Sequence, residues 1–542
     1  MIHAVKSSAM CRAQSAKSCV SCSNRTSVMQ GASTAEDVMS VFHFYARKGL
    51  YRHLSSAAAT YLSKLPSLHV CAFFQAVGTL LEGTAITDAI RALNALGGRR
   101  ELALATAHAL HYAHSQSLRS DTDATATLAR TIESEASRAA PQALVTAGYF
   151  LLMAGEHNQA RIYADKAMAA GAASSTAAAA DDDDFGFADA PAPAATASIG
   201  DAATFPASAA VLRAWIDVQC GRESYARKAN EWLDRASTAS NASASALEAG
   251  LCRAAFLQSR GKLDAASAIL EGLRASHAWF AAVLTERACI LLSCPDAALA
   301  ASARPLISQA IAQDATFLEA SRLAAFDALV NDARPSATAS KVEDLFSLIS
   351  ANEPRNTRVM QEVSRFVSRT CGRNPACLAV CCKLSTKAVE LSSRNNTEVL
   401  AQLGYVKLLQ GRHAEALEDM EAAYKLDAAN TPALHGSIRA KIAAGNLADL
   451  HNQLEFLSMS DSGIPGEKLA VCLLQALLAV REENEKAVPL LQEAVSQFAL
   501  AAKDCTPYAA VSAIDLDALH EIVAALLVYV SFTPSIFTDF VH

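Results

Sequence analysis

An all-α solenoid of stacked helical hairpins is the fold this sequence predicts, on three observations. Helix–turn–helix patterns recur along the chain, each with a glycine at its turn. The clearest two, within Leu403–Leu457, stand 34 residues apart, with turn glycines at Gly411 and Gly445. The composition favours helix: the chain is alanine-rich, 52% hydrophobic and only 6% aromatic. Alternating apolar runs and hairpin pairs such as Asn-Gly are scarce. A pair of helices cannot bury its own apolar face and must stack on neighbours. A 34-residue step marks a tetratricopeptide-type repeat, whose pairs wind into a right-handed superhelix. Such a stack is not limited by one compact core, which suits 542 residues.

In the clearest unit, helix A runs from Thr397 to about Gln410. Leu400, Leu403, Val406 and Leu409 share one face. Gly404 lets a neighbouring helix approach, and Gly411 ends the helix in the left-handed conformation that glycine adopts cheaply. Helix B runs from about His413 to Leu426. Ala416 and Ala423 lie seven apart on the stripe where the two helices touch, with Met420 and Tyr424 adding bulk. Thr431 is expected to cap the next helix and Pro432 to be its first residue. The unit departs from the usual pattern at Lys407, where an aromatic is common, and near Ala428, where a proline is common.

The rest of the chain is read in order. Residues 1–35 are basic and serine-rich, with Lys6, Arg12, Lys17 and Arg25 and no acid before Glu36. That composition is like a transit peptide; the plainer reading is a disordered extension. Cys11, Cys19 and Cys22 lie here, and a lone C-x-x-C is weak evidence for zinc. Residues 36–170 read as helical repeats, with turns at Gly49, Gly83 and Gly155. Residues 171–208 break the array as a low-complexity insert with Asp181–Asp184, Phe185, Phe187 and three prolines. Such a segment cannot offset its ordering entropy by burial; the functional alternative is an acidic docking motif. Residues 209–542 resume the repeats, with a turn at Gly261. Ala160 and Ala266 follow Gly155 and Gly261 as Ala416 follows Gly411. In all, about twelve hairpins are expected.

The formal charge of −7 and the pI near 6.1 provide no basic face for nucleic acid. No apolar run is long enough to span a bilayer. The 14 cysteines scatter among helices as small hydrophobes, which suits a reducing compartment. No phosphate-binding, nucleophile-elbow or zinc-protease motif is present, and no cofactor is expected. His108, His111 and His114 are spaced by three without a complementing acid or cysteine, so a helix-face or groove role is expected. Cys371, Cys377, Cys381 and Cys382 fit no zinc spacing and read as packing residues. Trp215, Trp232 and Trp279 read as inter-helix filler.

Several short blocks resemble, in order, the tetratricopeptide repeat protein 21 family. They are Gly78-Thr79-Leu80 with Glu82-Gly83, then Tyr112-Ala113-His114. Leu212-Arg213-Ala214-Trp215 follows, with Gly221, Glu223 and Tyr225. The most distinctive is Ser368-Arg369-Thr370-Cys371-Gly372-Arg373. After it come Leu403-Gly404-Tyr405, Leu409-Gln410-Gly411-Arg412, Glu415-Ala416-Leu417, Gln453-Leu454-Glu455-Phe456-Leu457 and Glu521-Ile522-Val523. The resemblance implies a non-enzymatic scaffold of intraflagellar transport complex A. It further implies retrograde transport, cilium or flagellum assembly and protein entry into cilia. Partners would be the other complex A subunits and, indirectly, dynein-2 and ciliary membrane cargo. The location would be cilium or flagellum, basal body and cytoplasm. Family members continue past the point where this chain stops at His542; the alternatives are an N-terminal fragment, a short gene model and a divergent form. The rival reading is a cytosolic peptide-binding adaptor of co-chaperone type, with Arg412, Lys425 and Lys441 as groove cations. RNA-binding repeats are disfavoured by the charge.

Overall fold

The computed structural model describes residues 34–83, 85–115, 122–178, 205–220, 223–239, 246–294, 296–331, 334–459, 465–502 and 514–532. Every regular element among them is an α-helix. The chain forms two compact units. The first comprises Met1–Ile290 and Gln309–Phe317; the second comprises Leu291–Ser308 and Leu318–His542. The expectations for residues 1–33 and for most of the acidic insert fall outside the described residues. Helix His157–Ala178 runs into the start of that insert, and helix Phe205–Gln219 begins before its end.

Unit 1 is built around its first helix, Ala35–Arg47. Its start follows from local chemistry. The Thr34 hydroxyl accepts from the Asp37 amide at 3.1 Å, and the Asp37 carboxylate accepts from the Thr34 amide at 3.3 Å. This reciprocal capping box satisfies two amides that a helix start leaves unpaired. From Asp37 to Ala46 only Met39 escapes full burial. A helix buried all round needs apolar groups on every face, and Val38, Val41, Phe42, Phe44 and Tyr45 supply them. Phe42 packs on Tyr61 and Phe74, with ring centroids 5.9 and 5.2 Å away. Phe44 meets Phe280 and Phe317 at 5.5 and 6.0 Å. His43 stacks on Tyr149 at 3.4 Å. The helix thus threads the unit, touching elements from Tyr51–Lys64 to Phe317. The space left beside it, lined by Val41, Tyr45, His53, Tyr61, Phe280 and Thr316, is about 30 Å³, enough for a water molecule.

Around this helix the hairpins pack closely. At Gly78, in helix His69–Glu82, an added Cβ would lie 2.7 Å from the Tyr51 carbonyl oxygen and 2.8 Å from the Ser55 amide nitrogen. Both belong to the backbone of the facing helix Tyr51–Lys64, which cannot step aside as a side chain can. Alanine normally gains about 1 kcal/mol over glycine in a helix. Here the overlap reverses the sign, and Gly78→Ala is expected to lose about 1–3 kcal/mol net. Urea denaturation tests this; a stabilised variant would contradict the backbone contact.

Unit 2 holds the repeat read first from the sequence. Helix Thr397–Leu409 pairs with His413–Leu426, and Thr431–Ala444 with Leu450–Met459. Leu403 is 3% exposed, and Ala416, Ala423, Ala160 and Ala266 are fully buried. Gly404 faces the Met420 side chain and the Ala416 carbonyl oxygen, at 2.9 and 3.1 Å from a notional Cβ. Gly155, Gly261, Gly411 and Gly445 all take φ between 70° and 83°. Two local expectations are corrected. Asn430, not Thr431, caps its helix: its side chain accepts from the Ala433 amide at 3.0 Å, and Pro432 is one residue further in. Tyr424 is 37% exposed and adds no core bulk; Met420 alone does so, at 2%. Further turns, at Ser393–Arg394 and Glu483, take positive φ without glycine.

Candidate functional site: a cleft on the inner face of unit 2

The first helices of four successive pairs in unit 2 present one side to a shared cleft of about 610 Å³. That size is typical of a ligand site. Arg365, Tyr405, Arg439 and Leu473 line it. Each is the ninth residue of its helix, in Thr357–Thr370, Thr397–Leu409, Thr431–Ala444 and Pro465–Arg481. The repeat register therefore forms a ladder across the cleft, arginine–tyrosine–arginine–leucine. Ala401, Gly436 and Ala470 leave room between the rungs, and Glu398, Asp427 and Glu467 line it as well.

The Ser368–Arg373 block supports this wall. Ser368 is 2% exposed, and its hydroxyl accepts from the Gln402 amide at 3.2 Å. Gln402 also donates to Ser364, which bonds Ser385 at 2.8 Å. This buried polar chain ties helix Thr357–Thr370 to helices Thr397–Leu409 and Pro375–Leu391. Arg369 reaches the cleft. The Thr370 hydroxyl donates to the Phe366 carbonyl of its own helix at 2.8 Å. Burial pushes the Cys371 thiol up to about 12, so it stays a neutral thiol. Gly372 and Arg373 both take positive φ, 53° and 60°. Arg373 then forks onto Asp517, with two contacts of 2.9 Å, and reaches Glu521 at 2.8 Å. The sequence blocks Ser368–Arg373 and Glu521–Val523 thus meet in space, through residues 144 and 148 positions apart.

Arg439 completes that cluster. It is 9% exposed and contacts Asp517 at 2.7 Å and Glu521 at 2.8 Å. Tyr405 donates to Asp515 at 2.7 Å. Burial opposes charge on Asp517, but the fork from Arg373 and the charge of Arg439 outweigh it and hold the carboxyl below its usual range. Burial alone would favour loss of the Arg439 proton; Glu521 and its neighbours reverse this.

The other expected residues lie elsewhere. Arg412 pairs with Glu415 in its own helix turn, Lys441 pairs with Glu421 at 3.6 Å, and Lys425 is exposed. None lines the cleft, so the groove cations picked from sequence are not the ones present. His108 is buried rather than on an open helix face, and its Nε2 lies 2.9 Å from the Tyr163 hydroxyl. Cys377 and Cys381 are buried packing residues. Trp215 lies under the Arg47 guanidinium, 3.8 Å from its ring centroid. Among the described residues no group of three or more His, Cys, Asp or Glu could hold a metal ion. No described helix is long and apolar enough to cross a membrane.

Two family models match. Residues 42–180 match the tetratricopeptide repeat protein 21 N-terminal ARM repeat, and residues 340–540 match the second ARM domain of the same family. Together they cover more than half of the chain. Tetratricopeptide repeat protein 21B of Mus musculus is 26% identical over 464 residues, 85% of this chain and 32% of the relative. Tetratricopeptide repeat protein 21A of Homo sapiens is 24% identical over 86% of this chain and 33% of its own length. The chain therefore spans about a third of the length of the curated relatives it matches. The crystal structure of the yeast Tom70 overlaps loosely, with a TM-score of 0.31 and 11% identity, over 94% of this chain and 93% of that one.

Proposed function

Because this chain belongs to the tetratricopeptide repeat protein 21 family, we propose that it is a non-enzymatic scaffold subunit of intraflagellar transport complex A. In that role it supports retrograde transport, assembly of the cilium or flagellum, and localisation of proteins to it. Its direct partners are other subunits of the complex; dynein-2 and ciliary membrane cargo are indirect ones. It acts at the cilium, the basal body and in the cytoplasm. The observation that carries this reading is the presence of two successive family domains, in order, on one chain. The cleft is consistent with it. A concave surface built from consecutive repeats offers contact area, a tyrosine and arginines, which are the usual anchors of protein interfaces.

Tagging the protein in a flagellated cell tests the reading. Signal at the flagellar base and along the axoneme, with complex A subunits co-purifying, is the expected result. Diffuse cytosolic signal without those partners would overturn it. A second measurement addresses the cleft. Arg365→Glu with Arg369→Glu is expected to leave far-ultraviolet circular dichroism unchanged and to lower recovery of the partner subunits about tenfold, the scale set by one interface anchor. Unchanged recovery would place the interface off the cleft.

A further inference from the structure

Unit 2 holds a second pocket, of about 330 Å³, within the range of a ligand site. Residues of helices Thr431–Ala444, Leu450–Met459, Pro465–Arg481 and Ala487–Ala502 line it. It adjoins the cleft, because Thr431, His435 and Glu467 line both. One acceptor in its wall is stranded. Gln497 donates its amide to Glu493 at 2.8 Å. A carboxylate accepts and cannot donate, so this bond fixes which way the amide faces. Gln497 Oε1 is left on the other side, buried without a partner. A buried acceptor in that state gains from any donor that reaches it. Two side chains of the wall register the local field. Burial raises the Cys472 thiol and Glu493 raises it further, while Lys468 opposes with a smaller effect. Burial lowers the His435 ring, and Glu467 pulls it back up. Negative potential therefore prevails in the pocket although Lys468 also lines it.

We infer that a basic segment of a partner protein lies along this end of the unit 2 cleft and inserts one lysine or arginine side chain into the pocket, with its charged head on Glu493, Gln497 Oε1 and Glu467. Charge complementarity selects that occupant. Arg439 already faces Asp515, Asp517 and Glu521 at 2.7–3.6 Å, and Arg365 leans on Glu398 at 4.0 Å. Glu467 lines the cleft where it meets the pocket, and Asp427 stands four residues before the shared Thr431. Leu457, Val471 and Cys472 give the aliphatic stem an apolar wall, while the head reaches polar groups. An acidic side chain would meet the negative field, and an apolar one would leave Gln497 Oε1 stranded. This role rests on the cleft being a protein interface, and it adds the sign of the partner's charge at one end.

The test uses the full chain and a fluorescein-labelled peptide of Ala-Lys repeats, with Ala-Glu repeats as its counterpart. Cys472 reports occupancy from the pocket wall, and the half-buried Cys382, beside Arg412, is a control outside it. With the lysine peptide at about ten times its dissociation constant, alkylation of Cys472 by iodoacetamide is expected to slow about tenfold, as occupancy requires. Cys382 should keep its rate, and the glutamate peptide should protect neither. Glu493→Gln combined with Gln497→Leu is expected to weaken the lysine peptide about tenfold, the scale of one charge-assisted hydrogen bond. Gln497→Leu alone should leave Tm no lower, because a stranded acceptor has gone. Unprotected Cys472, equal protection by the glutamate peptide, or affinity unmoved by the two substitutions would overturn the proposal. So would self-association that by itself shields Cys472, which would make a second copy of the chain the occupant. Protection is read on the unaltered chain, so the outcome stands even if a variant folds poorly. Only this chain and a peptide are involved, so failure here is distinct from failure of complex A subunits to co-purify.

Discussion

Glu248→Ala is expected to destabilise unit 1 by about 3–5 kcal/mol, the range for stranding one partner of a buried ion pair. Arg47 and Glu248 are 9% and 6% exposed, and the guanidinium is in direct contact with the carboxylate. The arginine sits on the enclosed helix Ala35–Arg47, so after truncation it has no solvent to turn toward. Burial raises the Glu248 carboxyl above its ordinary range, and the Arg47 charge and hydrogen bond only partly oppose this. Desolvation is therefore the larger effect, which makes a second outcome specific. Arg47→Met combined with Glu248→Leu should cost much less than Glu248→Ala alone, because neither group is then left charged and dry. Urea denaturation of the three proteins decides the matter. A single-variant cost under about 1 kcal/mol would mean that the pair is solvated as a surface pair is.

The second large effect is loss of unit 1 stability in mild acid. Burial drives His108 down to about 4, with the His111 charge adding to the shift. Burial, followed by the Arg47 charge, holds His43 well below its usual range. A histidine whose folded pKa is depressed stays neutral in the folded protein while the unfolded chain takes up a proton. Its contribution is neutral above about 6.5 and destabilising as pH falls from there toward the folded value. For His108 alone the full drop is about 3 kcal/mol, at roughly 1.4 kcal/mol per pH unit. Glu248, raised by burial, works in the opposite direction as pH falls through its own folded value. His108→Phe should remove about one proton from that slope. An unchanged slope would show that the ring already titrates in the folded state. Unit 2 differs. Asp517 is held low, so its contribution is present above the ordinary aspartate range and is lost only as pH falls through a still lower value.

Much of the fold could be read from the chain because its signals are local. Helix His413–Leu426 has the bounds that its period suggests, and the glycine turns take the backbone that only glycine adopts without cost. Turns at Ser393–Arg394 and Glu483 carried no such signal, because polar residues there accept positive φ. The enclosed helix carries its own signal. VMSVFHFYA has no solvated face, which marks burial on all sides rather than membership of an ordinary repeat. The ion-pair cluster of Arg373 and Arg439 with Asp517 and Glu521 is only half legible. Ser368–Arg373 and Glu521–Val523 each stand out in the sequence, but nothing local to either says that Arg373 meets Asp517. That pairing depends on how many repeats intervene and how tightly they turn. The cleft cations are not legible in the sequence for a related reason. Arg412 and Lys441 have acidic neighbours within reach, whereas Arg365 and Arg439 share a register that appears only when helices are aligned.

Helix Ala35–Arg47 also bears on biosynthesis. It leaves the ribosome before the elements that enclose it, and the last wall of its enclosure, at Phe317, emerges on the order of 10–50 s later at ordinary elongation rates. Through that interval Phe42, Phe44 and Tyr45 have no completed shelter. The nascent chain must therefore be shielded by a holding factor or risk sticking to its neighbours on a polysome.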